Sequence, residues 1–362
     1  MSASAQLPRT MRVARMYDID DIRIEERPLP QLEPGDVLVR TGASGVCSGD
    51  LMPWYVRRKA PFVFGHEPAG TVVDFDPGSE TLTDARGKSI ETGSRVFAHH
   101  HAPCLACEEC RCGRYVQCAT WRATALDPGG MAEYFRVPHA NLADTLVLPR
   151  SVPLVDGSLV EPLACVVKSL RRAFAHDAFA GGLIGRTIHV VGAGVMGLMH
   201  VAVAVRLGAT VYASDFHAGR RENALRLGAR MAFEPADACS ALDADTGGRF
   251  ADAVVCGPGT PAALEASLAT LGRDGTLLMF SPIEPSQRFS FEQSAAYFRD
   301  VRLVSSYSCG PDDTRRALDL IADGVVTARL LDAAEFQFPA VAEAYEAMRR
   351  NDLVKAIVTF NT

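Results

Sequence analysis

The chain has 362 residues, 48% of them apolar and 22% charged, with a formal net charge of −6. That length is long for one core and predicts two domains, and the apolar share is enough to fill both. The acidic balance, with Arg57-Arg58-Lys59 as the longest basic run, excludes nucleic acid as a partner, and no stretch of ~18 uninterrupted apolar residues is present to span a membrane.

Residues 1–10 lack the apolar segment of a signal peptide and read as a disordered extension. Residues 12–27 and 36–43 read as strands, the second preceded by a Pro34-Gly35 turn, so a mostly β domain comes first. Cys47-Ser48-Gly49-Asp50 closes this strand, and Gly65-His66-Glu67 follows shortly after. A thiolate, an imidazole and a carboxylate are the donor types that one zinc ion accepts, and a catalytic zinc keeps three protein ligands and one open position. Cys47, His66 and Glu67 are the expected ligands, with Glu161 as an exchangeable partner and Asp50 orienting His66. Trp54 lies between the two ligand motifs and is a candidate platform for the C–H face of a ring-shaped substrate.

A strand at 69–75 leads into a polar loop through Pro77-Gly78, and then to His99-His100-His101. Successive side chains on a strand alternate faces, so three adjacent histidines cannot all bind one ion, and they read as structural or cleft-lining. Cys104, Cys107, Cys110 and Cys118 are spaced C-x2-C-x2-C-x7-C, the pattern of a closed tetrahedral zinc site. Metal ligation should supply much of the order of this lobe. Four clustered cysteines without an export signal predict reduced thiols and a cytoplasmic protein.

From residue 158 apolar residues recur at helical spacing, with Glu161, Cys165 and Lys168 on the helix. The strand at 187–191 then runs into Gly192-Ala193-Gly194-Val195-Met196-Gly197 and an apolar helix, with Asp215 ending the next strand. Strand, G-x-G-x-x-G, helix and acidic residue in this order form a dinucleotide-binding fingerprint. Gly192, Gly194, Val195, Met196 and Gly197 line the phosphates, and Asp215 meets the ribose hydroxyls, which favours NAD. Arg220 and Arg221 read as lying on the exposed face of the following helix. Alternating strands and helices continue to about residue 307 and predict a parallel, doubly wound sheet. Helices at 311–323 and 341–351 and a strand at 356–360 return to the first domain.

Gly-Val-Cys-Ser-Gly-Asp at 45–50, Gly-His-Glu at 65–67 and Glu-Pro-Leu at 161–163 resemble the zinc-dependent medium-chain alcohol dehydrogenases, in their sorbitol and threonine dehydrogenase-like branch. The resemblance runs from about residue 12 to the end. It implies an α/β fold in two parts: a GroES-like, β-rich catalytic domain over 1–157 and 309–362, with its structural-zinc lobe at about 99–122, and a Rossmann domain over 158–308. It also implies two zinc ions per chain, NAD, and a homodimer or homotetramer. The implied reaction interconverts a secondary alcohol and a ketone of a polyol, sugar, cyclitol or amino sugar. Within the family, Trp121 and Arg122 correspond to a segment that approaches substrate, and Lys355 to a basic residue near the cofactor pyrophosphate. The family usually reads Cys-x-Ser/Thr-Asp, with the hydroxyl relaying the alcohol proton, whereas here Gly49 stands at that position beside Ser48. The rival readings, a metal-free quinone reductase-like enzyme and a non-enzymatic NAD-binding regulator, are disfavoured by the intact zinc patterns.

Overall fold

A computed structural model describes residues 7–361 except 77, 79–80 and 175–177. Of the extension expected at 1–10, the first six residues lie outside the described ones, as does Pro77 of the expected turn. The rest corrects the expectation: the Arg9 carbonyl accepts from Leu29 N–H at 3.2 Å, and strand begins at Thr10.

The chain divides into two compact units, one made of Met1–Glu161, Gly310–Ala322 and Asp332–Thr362, the other of Pro162–Cys309 and Asp323–Leu331. In the first unit a hairpin of Thr10–Asp18 and Asp21–Pro28 pairs Thr10 with Pro28 and Arg15 with Arg23. The larger sheet is centred on Val37–Gly45, which pairs antiparallel with Pro68–Phe75, Tyr134–Val137 and Ala356–Thr359. All of Val37–Gly45 but Arg40 is buried, so this strand reads as a nearly continuous small and apolar run. It ends where Cys47 must be held. Behind it Met16, Val46, Phe64, Tyr345 and Val358 share one apolar core, which fixes the strand end against the helix Val341–Arg349.

The returning helix Pro311–Ala322 buries Ala317, Leu318, Leu320 and Ile321. Asp313 accepts from Gly310 N–H at 3.1 Å and so caps the start of this helix.

The second unit holds six parallel strands in the order 231–233, 210–214, 187–191, 251–256, 271–279 and 302–305. Reversal of strand order between 187–191 and 251–256 is the doubly wound pattern, and 210–214 pairs with the other edge of 187–191, so that the carboxyl ends of these strands lie side by side. Val190 and Val191 within the first of these strands are apolar and buried on both faces, as a covered parallel sheet requires.

Candidate active site and cofactor site

Cys47 caps a single 3-10 turn, Ser48–Leu51, and its Sγ accepts from Gly49 N–H at 3.3 Å. Cys47 Sγ, a His66 ring nitrogen and a Glu67 oxygen all lie within 4.8 Å of one another. Asp50, buried, places Oδ2 3.4 Å from His66 Nδ1, which leaves the other ring nitrogen for a ligand. Burial opposes protonation of His66, but Cys47, Asp50 and Glu161 outweigh it and hold its pKa well above the ordinary imidazole range. A site this rich in negative charge is built for a cation.

Glu67 is 1% exposed and its Oε2 pairs with the equally buried Lys355 ammonium, which also donates to the Val46 carbonyl at 2.8 Å. Lys355 therefore does not stand free for a pyrophosphate. The strand Ala356–Thr359, paired with Val37–Gly45, carries it into the core of the first unit, where a carboxylate must neutralise it. Gly45 makes room for this pair: a Cβ there would lie 2.0 Å from Glu67 Oε2 and 3.1 Å from Lys355 Cε. Tyr345 lies in the same core, and burial, then the charges of Asp50, Cys47 and Glu67, keep its hydroxyl protonated. Sequence reasoning missed both Gly45 and Tyr345, whose roles come only from packing.

Glu161 opens the helix Val160–Ala173, where its charge suits the N-terminus and Pro162 costs no hydrogen bond. Its carboxylate meets His99 and His100, the three ligand atoms lying within 4.8 Å of one another. His99 Nδ1 is fixed by Asp144 Oδ2 at 2.7 Å, and the His100 ring stands 5.0 Å from that of His66. The three histidines lie past the end of the strand Arg95–Ala98, so the expected alternation does not apply to them and His99 and His100 meet at one carboxylate; His101 turns away to the Thr124 carbonyl at 2.6 Å, and burial lowers its pKa to about 4. Lys168, on the same helix as Glu161, donates to the Tyr307 carbonyl at 2.6 Å.

In the cysteine lobe the sulfurs of Cys104 and Cys110 are 4.0 Å apart, those of Cys107 and Cys110 3.5 Å, and those of Cys104 and Cys118 3.6 Å. Zn–S bonds of about 2.3 Å require tetrahedral edges of about 3.8 Å, so the four thiols fit zinc. Burial and its cysteine neighbours push Cys110 up to about 12, whereas burial of Cys118 is overcome by N–H donation from Cys104 and Trp121, which holds it at about 6. Trp121 packs with Cys110, Val116 and Cys118, is 2% exposed and stacks on His101 at 4.3 Å. This corrects its expected role as a substrate contact, because so small a lobe needs the indole as its core. Arg122 turns outward and donates to Gln117. Trp54 is half-buried and meets Tyr55 edge-on at 5.7 Å.

In the second unit Gly192 has φ +85°, and a Cβ at Gly197 would lie 1.9 Å from the Gly192 carbonyl, so the turn closes only with glycine at both positions. A Cβ at Gly194 would meet nothing within 4 Å, which leaves the space that a pyrophosphate fills at the N-terminus of helix Val195–Arg206, begun by Val195 and Met196. Asp215 Oδ2 accepts from Ala193 N–H at 2.8 Å and Oδ1 from His217 N–H at 2.8 Å, tying the acidic residue to the glycine turn. Arg220 and Arg221 lie on the next helix as expected, but half-buried rather than exposed. Arg220 Nη1 is 3.9 Å from Asp215 Oδ2, and Arg221 donates to the Asp215 carbonyl at 2.9 Å.

Two thiolate-containing ligand sets and a dinucleotide turn define a zinc- and nicotinamide-dependent oxidoreductase. The model for the alcohol dehydrogenase GroES-like domain matches residues 33–149, and that for the zinc-binding dehydrogenase domain matches residues 195–323. The chain belongs to the zinc-dependent medium-chain alcohol dehydrogenases. D-xylulose reductase A of Aspergillus niger is 27% identical over 356 residues, covering 94% of each chain. The alcohol dehydrogenase of Thermus sp. ATN1 shares the fold at TM-score 0.82 and 23% identity, covering 97% of this chain and 100% of its own. The 2R,3R-butanediol dehydrogenase of Bacillus subtilis does so at 0.81 and 23%, with 97% and 100% covered.

Proposed function

We propose that this enzyme interconverts a secondary alcohol and a ketone on a polyhydroxylated substrate — a polyol, sugar, cyclitol or amino sugar — with NAD. The observation that carries the reading is the convergence of Cys47, His66 and Glu67 within 4.8 Å. A curated relative named for D-xylulose and a solved neighbour named for a butanediol support the substrate class. When bound, zinc supplies Lewis-acid polarisation of the substrate oxygen and NAD supplies the hydride acceptor. Cys47, His66 and Glu67 would hold the catalytic zinc, with Glu161 exchangeable, and the four lobe cysteines the structural one.

The side chains divide the remaining work. Gly49 N–H donates to Cys47 Sγ, Asp50 lies beside the His66 ring, and Lys355 balances the charge of Glu67. Gly49 carries no hydroxyl to pass the alcohol proton outward. The Glu161 carboxylate, which lies within 4.8 Å of a His100 nitrogen and raises the pKa of His66, is the proposed acceptor, acting with water. Ser48→Ala should then keep most activity, whereas Glu161→Gln should lose it and shift the pH–rate profile; a dead Ser48→Ala variant would move the relay to Ser48.

Trp54 is proposed as a wall for the substrate ring, so Trp54→Ala should raise KM far more than it lowers stability. A homodimer or homotetramer is supported by the edge strand Arg302–Ser305, near which Tyr297 and Phe298 are exposed. No helix among the described residues is long and apolar enough to cross a membrane, and their ten cysteines are free thiols, in keeping with a cytoplasmic enzyme. The test is turnover of a polyol panel with NAD by metal-replete protein, with His66→Ala inactive and still folded. No NADH formation on any polyol, sugar, cyclitol or amino sugar would overturn the reading.

A further inference from the structure

On the proposed reading the reacting oxygen of a substrate sits beside Cys47 and His66, and a further imidazole stands next to that position. His100 lies on the other side of His66, ring centroids 5.0 Å apart and planes inclined by 46°. Its Nδ1 is buried and meets no protein hydrogen-bond partner among the described residues. One of its ring nitrogens lies within 4.8 Å of the Glu161 carboxylate and of a His99 nitrogen. His99 is itself locked by Asp144, whose second oxygen takes the Thr314 hydroxyl, so the imidazole beside His100 cannot swing away. An imidazole nitrogen that lacks a protein partner can take a hydroxyl, which donates or accepts as the ring's tautomer requires.

We propose that His100, backed by Glu161, is a subsite for the hydroxyl on the carbon adjacent to the one that reacts, so that this enzyme is specific for vicinal diols. The inference rests on the alcohol dehydrogenase reading above and narrows it: one hydroxyl is placed beside Cys47 and His66, and the next, one carbon away, reaches the imidazole. A buried nitrogen with no protein partner favours a ligand that supplies one and disfavours an otherwise identical ligand that leaves it bare.

The test compares butane-2,3-diol with butan-2-ol, which differ by that single hydroxyl, in wild-type enzyme, His100→Ala and His100→Asn. In the wild type kcat/KM should favour the diol by roughly ten- to hundredfold, the range that one hydrogen bond to a buried group supplies. His100→Ala should erase this preference by raising KM for the diol far more than for butan-2-ol, and His100→Asn, which keeps a donor and an acceptor, should recover part of it. Independently of turnover, the calorimetric Kd of the diol in the presence of NADH should weaken about tenfold in His100→Ala, with the zinc content unchanged by elemental analysis. Equal losses for both alcohols in His100→Ala, or no diol preference in a wild type that oxidises butan-2-ol, would overturn the subsite and leave the dehydrogenase standing. A zinc content that falls from three per chain to two in His100→Ala would assign His99, His100 and Glu161 to a metal instead. If the wild type oxidises neither alcohol and binds no diol, the subsite falls, and the polyol panel decides the broader reading separately.

Discussion

The Lys355 ammonium and the Glu67 carboxylate form an ion pair sealed from solvent, each side chain 1% exposed. A buried pair contributes little beyond an apolar replacement, but removing one member strands a charge, which costs about 3–5 kcal/mol. Lys355→Met should therefore lower the thermal midpoint by roughly ten degrees. Calorimetric scans of Lys355→Met, Glu67→Gln and the double variant measure this, and the double variant should be more stable than Lys355→Met alone. A double variant whose loss equals the sum of the two single losses would show that the two groups do not act as a pair.

Metal removal should be visible in the tryptophans. Trp121 packs on Cys110 and Cys118, so stripping zinc from the lobe should loosen the indole and red-shift its emission. In a Trp54→Phe background the fluorescence change on chelation reports the lobe alone. Elemental analysis before chelation should give two zinc ions per chain, and Cys107→Ser should give one together with the loosened spectrum. An unaltered Trp121 spectrum after complete zinc loss would mean that the lobe core holds without metal.

Cofactor choice rests on Asp215, which is bound to the glycine turn through Ala193 N–H. Its carboxylate should repel a 2′-phosphate, so kcat/KM should favour NAD over NADP. Asp215→Ser should narrow or reverse that ratio by an order of magnitude or more, because Arg220 and Arg221 already stand against this corner of the sheet. Wild-type enzyme that prefers NADP would show that Arg220 outweighs Asp215.

Acid should weaken the second unit before its carboxylates titrate. Burial holds His189 at about 3, between the hydroxyls of Thr270 and Ser214, and His200 at about 4, between Ser169 and the Met196 carbonyl. Both pKa values lie below the unfolded value of about 6.5, so the unfolded chain binds more protons, and this stability is complete above pH 6.5 and lost as pH falls toward 4. Each histidine contributes a slope of about 1.4 kcal/mol per pH unit below 6.5. Urea unfolding between pH 7 and 5 should show that slope, and His200→Gln should flatten it; a profile indifferent to pH in that interval would mean that water reaches both rings.

The features legible in the sequence are those whose parts are contiguous. The Gly192–Gly197 turn, the lobe cysteines and the Cys47 and His66 motifs each lie within a few residues along the chain, and local geometry carries them into place. The features that were not legible depend on distant partners. Nothing near Lys355 in sequence points to Glu67, 288 residues away, so it read as a phosphate ligand. Trp121 read as a substrate contact because an aromatic residue beside a ligand cluster fits a cleft as well as a lobe core, and only packing separates the two. Arg220 turned inward because Asp215, five positions earlier, offered it a buried carboxylate. His100 was not readable, since the three histidines lie past the end of the strand Arg95–Ala98, where alternation gives no guide to which ring faces His66.

The separation of Glu67 from Lys355 also sets an order of events during synthesis. At about 5–20 residues per second, the 288 residues between them take roughly 15–60 seconds to emerge from the ribosome. The NAD-binding unit, most of which is one continuous segment from Pro162 to Cys309, is complete before its neighbour can be. Throughout that interval the glutamate meant for the metal centre has no ammonium to meet it, and the strand that delivers one, Ala356–Thr359, has not been made. A nascent chain released early would therefore carry a finished nucleotide domain beside a catalytic domain that cannot close.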